Sequence, residues 1–202
     1  SISGQLIVMP NNGYSGRVGI GTTSPQGILH VASTSNGIND DLILTQAAAT
    51  NLFTNPSIET NTTGWTFGGA VVRSNDYAKF GSYSLKNPAD TYKYAIVDQA
   101  MTVGDILTVS FYRKTVAHTG AGGAGLAVET ISGSFTVTTL PGSATRLLPN
   151  AGDRDWERVM VKIESTGTGT ARILLAGNYG GTGSGTVYFD GMQLETGASA
   201  TL

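Results

Sequence analysis

The character of this sequence changes near Thr50, and the break limits what the chain can fold into. Residues 1–50 are rich in Gly, Ser and Asn, with short apolar runs at Gln5–Met9, Arg17–Ile20, Gly27–Val31 and Asp41–Thr45. Turn chemistry separates the runs: Pro10-Asn11-Asn12-Gly13, Gly21-Thr22-Thr23-Ser24-Pro25 and Ser33–Asn39. Each run brings only two or three apolar side chains. At ~25 cal/mol per Å² buried, so few side chains within one chain do not offset the entropy of ordering the backbone. Unpaired strand edges add to the difficulty. Symmetric copies would remove both problems, because the edges of one copy pair with the next. Residues 1–50 therefore read as a stalk that assembles with sister subunits. A flexible linker fits less well, because linkers do not alternate apolar residues between tight turns.

Beyond the break, several runs alternate with period two. Leu107, Val109 and Phe111 share one face, with Thr108, Ser110 and Tyr112 on the other. Val159, Val161 and Ile163 alternate with Met160, Lys162 and Glu164, and Val187 and Phe189 with Tyr188 and Asp190. Further strands are predicted at Ala70–Ser74, Ser82–Lys86, Tyr92–Gln99, Leu126–Thr130, Ser134–Thr138 and Ala171–Ala176. One apolar face per strand means half-buried antiparallel strands. Nine such runs with turns between them predict an all-β, two-sheet sandwich over residues 51–202. The many glycines (28) and few charges (13%) favour strands and turns over helices. Cys is absent, so the sandwich holds by burial alone, for which about 150 residues suffice.

Two stretches carry family resemblances. Arg17-Val18-Gly19-Ile20-Gly21-Thr22-Thr23-Ser24-Pro25, followed by Ile28-Leu29-His30-Val31, resembles a recurring motif of bacteriophage tail fibres and related viral fibres. In those proteins such stretches belong to trimeric, β-rich shafts. A single copy here implies the end of a shaft, not a long one. Asn51-Leu52-Phe53-Thr54-Asn55-Pro56-Ser57-Ile58-Glu59, then Gly64-Trp65 and Gly81-Ser82-Tyr83-Ser84-Leu85, resembles the opening of jelly-roll carbohydrate-binding modules. Val187-Tyr188-Phe189-Asp190-Gly191-Met192-Gln193-Leu194-Glu195 resembles their last strand, and the close through Gly197–Thr201 is similar to modules in phage tail proteins. Together the resemblances imply a fibre shaft or trimerisation segment over 1–50 and a jelly-roll head over 51–202. The implied function is a viral, phage-type tail fibre or adhesin tip that attaches to host-surface polysaccharide. The implied partners are two sister chains and other tail or fibre proteins, and the implied location is the virion. Two alternatives stand beside it: a decoration domain without receptor binding, and a carbohydrate-binding module of a secreted glycan-degrading enzyme.

The resemblance also implies a structural calcium ion where first and last strands meet, with Glu59 and Asp190 at the matching acidic positions. The alternative for both is hydrogen bonding to backbone amides or pairing with a cation. Aromatic rings bind sugars by stacking on C–H faces while polar neighbours take the hydroxyls. Trp65 and Trp156 fall at positions more often structural. The sugar-binding candidates are Tyr92 and Tyr94 on one strand face, Tyr112 with Arg113 beside it, and Tyr179 in a Gly-rich loop; Tyr77 is a further possibility.

Other functions find little support. Net charge is −2 and the cations are scattered, so no basic stripe meets nucleic acid. No apolar run approaches the ~20 residues that span a bilayer, so membrane insertion is not expected. Gly120–Gly125 lacks the Lys and Ser/Thr of a phosphate loop and reads as a hairpin, and Asp153–Glu157 reads as a charged turn. His30 and His118 lie in different segments without a nucleophile and acid in pattern, and a non-enzymatic role is expected.

Overall fold

The computed structural model describes residues 6–8, 18–20, 29–31, 50–90 and 94–200. It divides into two compact units, Ser1–Ala47 and Ala48–Leu202. In the first, β1 (Leu6–Val8), β2 (Val18–Ile20) and β3 (Leu29–Val31) form a three-stranded sheet. β1 runs antiparallel to β2, and β3 parallel to it. Three of the four expected runs thus contain strands, and β2 finds both neighbours within its own chain. The fourth run, Asp41–Thr45, lies outside the described residues.

The second unit is an all-β jelly-roll sandwich. Its strands are β4 (Thr66–Gly68), β5 (Val72–Ser74), β6 (Ser84–Pro88), β7 (Tyr94–Met101), β8 (Ile106–Gly120), β9 (Ala124–Thr139), β10 (Leu147–Leu148), β11 (Gly152–Ala176) and β12 (Gly183–Thr196). One continuous antiparallel sheet curls into two layers. The larger layer runs β5–β6–β12–β8 and continues onto the first half of β11. The smaller layer runs β4–β7, then the second half of β11, then the first half of β9.

The connectivity joins runs that the sequence alternation separates. The alternation breaks at residues 131–133 and 164–170, so it reads as separate short strands. In the structure Leu126–Thr130 and Ser134–Thr138 belong to one strand, β9, and Val159–Ile163 and Ala171–Ala176 to another, β11. Both strands cross from one layer to the other, and their register shifts between Ser165 and Ala171. Bulges let a strand bend sharply while staying paired. Glycine makes the corner possible: a Cβ on Gly133 would collide with Gly167 O, and one on Gly169 with Ser132 O. Asp153–Glu157 is likewise the irregular start of β11 and not a turn, with register shifts at Gly152/Arg154 and Arg154/Glu157. Gly120–Gly125 does turn β8 into β9.

The core lies between the layers, formed by the apolar alternation that the sequence displays. Leu107, Val109 and Phe111 of β8 meet Val159, Val161 and Ile163 of β11, and Val187, Phe189 and Leu194 of β12. Ala95, Ile173 and Leu175 come from the smaller layer. Phe53 and Trp65 close one side with ring centroids 5.0 Å apart, and Trp65 Nε1 donates to Asn55 O at 3.3 Å. Trp65 is therefore structural. The start of the unit is tied to β12: Leu52 N donates to Leu194 O, and Asn51 exchanges side-chain bonds with Met192 O and Leu194 N.

Candidate functional site

The outer face of the smaller layer gathers two of the predicted tyrosines. Residues at i and i+2 of a strand share a face, so Tyr94, Ile96 and Asp98 line up along β7. Strand register then sets Tyr94 opposite Ala176, Ile96 opposite Leu174 and Asp98 opposite Arg172. On the other side of β11, Leu174 faces Ala127 and Arg172 faces Glu129 of β9. The face is therefore graded: aromatic at one end, aliphatic in the middle, charged at the other end.

At the aromatic end, the Tyr179 ring lies 6.1 Å from Tyr94, tilted by 48°. Tyr179 N donates to Gly123 O, and its hydroxyl donates to Glu129 Oε1 at 3.1 Å. Burial, and then the Glu129 bond, push the phenol's pKa upward. Tyr94 is 9% exposed and belongs to a buried cluster, while Tyr179 is more open. Tyr92, its expected companion, lies outside the described residues.

At the charged end, Arg172 Nε and Nη2 donate to Asp98 Oδ1 and Oδ2 at 2.8 and 2.9 Å. Arg172 holds the Asp98 carboxyl below its usual pKa, chiefly by that hydrogen bond. The pair is solvent-exposed and adds little stability. It does present a planar, bidentate array of donors and acceptors in fixed orientation. A groove of about 280 Å³ runs past it, lined also by Gly64, Thr66, Ile96 and Val97. The sequence reading missed Ile96, Asp98, Glu129, Leu174 and Arg172. The i, i+2, i+4 pattern Tyr94-Ile96-Asp98 would have given the first two, but the others join them only through strand register.

Tyr112 is elsewhere, on the outside of the larger layer. Its neighbour Arg113 points the opposite way and is 1% exposed. The expectation that Arg113 would accompany Tyr112 toward a ligand is corrected, because consecutive strand residues face opposite sides. Arg113 Nη1 donates to Ala124 O and Thr145 O at 2.7 and 3.0 Å, and Nη2 to Glu157 Oε2 at 2.9 Å. Burial lowers the guanidinium's pKa, and Glu157 offsets part of that. The side chain fastens the β8–β9 hairpin and the segment before β10 to the sandwich interior.

Glu59 and Asp190 are the two carboxylates implied as calcium ligands. Glu59 Oε1 and Oε2 accept from Tyr83 N and Ser82 N, both at 3.0 Å. Asp190 Oδ2 accepts from Lys79 N and Phe80 N at 2.7 and 2.9 Å, and Oδ1 from Gly191 N at 2.6 Å. Burial raises the Asp190 pKa against the pull of these amides. Calcium takes six to eight oxygens. Among the described residues no group of three or more His, Cys, Asp or Glu could hold a metal. The two carboxylates accept from backbone amides here, and a calcium ion between them would need backbone carbonyls to complete its shell.

His118 is also accounted for. It is 1% exposed, its Nε2 is 2.9 Å from Gly177 O, and its Nδ1 accepts from Ala151 N at 3.1 Å. The carbonyl requires Nε2–H and the amide requires a bare Nδ1, so the ring is neutral in that tautomer. Burial lowers its pKa accordingly. Both ring nitrogens serve the backbone, and the Gly177 end of the Tyr179 loop is fixed by one of them.

No protein-family model and no curated protein matches the sequence. Among solved structures, the chain is similar to the N-terminal CBM22-1–CBM22-2 tandem of Xyn10C from Paenibacillus barcinonensis, with a TM-score of 0.52 and 17% identity. That overlap covers 78% of this chain and 48% of the tandem, so the chain spans about half its length. Looser overlaps are found with the CBM22-1 xylan-binding domain of the same protein (TM-score 0.44, 20% identity, 71% of this chain and 93% of that one). The enzymatically active domain of tailspike protein 4 from bacteriophage CBA120 also overlaps (0.45, 15%, 72% and 21%). What the tandem shares with this chain at such identity is its fold.

Proposed function

We propose that this chain is a non-catalytic glycan-binding head carried on a trimeric fibre stalk, and that it attaches a virion tail to host-surface polysaccharide. The observation that carries the glycan reading is the graded outer face of the smaller layer. Tyr179 and Ile96 are the partly exposed apolar side chains, packed over the buried Tyr94 and Leu174, and Asp98 and Arg172 form a bidentate pair beyond them. Saccharides need this combination of apolar surface for ring C–H groups and oriented polar groups for hydroxyls. The fold shared with a carbohydrate-binding module tandem supports the reading. The stalk, its trimer and the virion setting rest on the Arg17–Pro25 motif and on the sparse apolar content of residues 1–50. Three heads on one stalk would raise weak single-site binding by avidity.

The test uses the whole chain on a glycan array, with light scattering for its mass. The expected result is a trimer that binds a neutral oligosaccharide, with Tyr179→Ala and Arg172→Gln each weakening binding about tenfold while melting is little changed. A monomer would remove the stalk reading. A trimer that binds no glycan would leave the head as a decoration of the fibre.

A further inference from the structure

The larger layer carries a separate cleft, and its construction is more specific than a gap between side chains. Asp190 accepts from the backbone amides of Lys79 and Phe80, which fixes the turn that precedes β6. Phe80 is thereby held outward, 50% exposed, with its ring against Gly191. Gly191 has a φ of +57°, and a Cβ there would lie 2.8 Å from the Phe80 ring. Glycine therefore sets the depth of the cleft as well as the turn of the chain. Tyr112 stands edge-on to Phe80, with ring centroids 5.3 Å apart. The space beside them is about 350 Å³, within the ~300–1,000 Å³ range of small-molecule sites.

The charge at this cleft is equally particular. Lys79 Nζ lies 5.2 Å from the centre of the Tyr112 ring, and the Arg158 guanidinium lies 5.9 Å from it. Two cations attend one aromatic ring. Arg158 lines the cleft beside Gln193, and its Nη2 donates to Gln193 Oε1 at 3.3 Å and to Ser110 Oγ at 3.4 Å. The one carboxylate in the wall, Asp190, has both oxygens turned to backbone N–H donors. An exposed apolar ring, a second ring and the Arg158 guanidinium line the cleft, while Lys79 stands at the Tyr112 ring outside that lining and adds to the Trp156 amide and Lys114 in lowering the Asp155 pKa.

We infer that the Phe80–Tyr112–Arg158 cleft is a second saccharide site, one for an acidic pyranose whose ring lies against Phe80 and whose carboxylate meets Arg158. Uronic and sialic acids share this chemistry. The site stands apart from the face bearing Tyr94 and Tyr179 and does not depend on that face binding sugar.

Amide NMR of the ¹⁵N-labelled chain tests it, with tetragalacturonate, its full methyl ester and sialyl-lactose as probes. Expected are shifts confined to the amides of Phe80, Gly191 and Gln193 with at least one acid, and affinity for that acid at least tenfold above the ester. Arg158→Gln removes the cation that lines the cleft, and it should weaken acid binding several-fold while ester binding stays as it was. Phe80→Ala should abolish it. Tyr179→Ala should leave it unchanged. Response to tetragalacturonate alone or sialyl-lactose alone identifies the source of the acid. The inference fails if neither acid shifts these amides, if ester and acid bind alike, or if Tyr179→Ala removes the binding.

Discussion

The two outer faces of the sandwich use aromatic residues in opposite ways. On the smaller layer, Tyr94 and Tyr179 pack with Leu174, Ala127 and Ala176, and a loop folds Tyr179 down onto the sheet. The rings there are partly used up by packing, and the exposed polarity comes from a cross-strand ion pair. On the larger layer, the buried Asp190 carboxylate grips two backbone amides and holds Phe80 out into solvent, with cations beside Tyr112. One face is a graded floor that register assembles, and the other is a cleft that a turn assembles. Similar residue types thus become different surfaces, according to whether a strand or a turn positions them.

The largest expected effect strikes both faces at once. Arg113→Ala removes the buried guanidinium that ties Ala124 O and Thr145 O to β8 and leaves Glu157 without that partner. It should cost about 3–5 kcal/mol in urea unfolding. If the variant were as stable as the parent, Arg113 would not be what fastens the β8–β9 hairpin to the sandwich interior.

Asp190→Ala should separate the faces. It strips the acceptor from Lys79 N and Phe80 N, with an expected cost of about 2–3 kcal/mol. Amide shifts should appear around Phe80 and Gly191 and not around Leu174. Spectral change of equal size at Leu174 would mean that the faces are coupled.

A smaller effect falls on the Tyr179 side and depends on pH. His118 is neutral when folded and its pKa is lowered, so the unfolded chain takes up a proton before the native one does. Stability is then full above the ordinary imidazole value of 6.5 and is lost as pH falls below it. The melting temperature should drop between neutral and mildly acidic pH, with the Gly177–Tyr179 loop affected first. A His118→Gln variant should lose the part of that slope that this residue causes. A melting temperature that is flat with pH would contradict the neutral, doubly bonded ring.

The smallest expected effect is none. Adding a calcium chelator should leave the melting temperature unchanged, because Glu59 and Asp190 are already satisfied by amides. A drop of several degrees would place a cation there after all and change how the Phe80 turn is held.

Much of the fold was legible because strand alternation is a local signal. Leu107-Val109-Phe111, Val159-Val161-Ile163 and Val187-Phe189 announce their buried face without any knowledge of their neighbours. What failed was continuity. β9 and β11 bend across the layers through Gly133, Gly167 and Gly169, and a bend erases periodicity just where one strand would be recognised as one. The tyrosines were visible as residues, but their settings were not.

The sequence by itself determined that this chain builds an all-β sandwich, since period two and turn chemistry are written residue by residue. Only the tertiary structure decided which polar groups meet. Arg172 finds Asp98 across a strand pair 74 residues apart in sequence, and Asp190 reaches Lys79 and Phe80 over 111 and 110 residues. Such meetings depend on register and on chain reversals, so no local pattern carries them. That is also why Tyr112 ends beside Arg158 and Lys79, while Arg113 is turned inward to hold the hairpin.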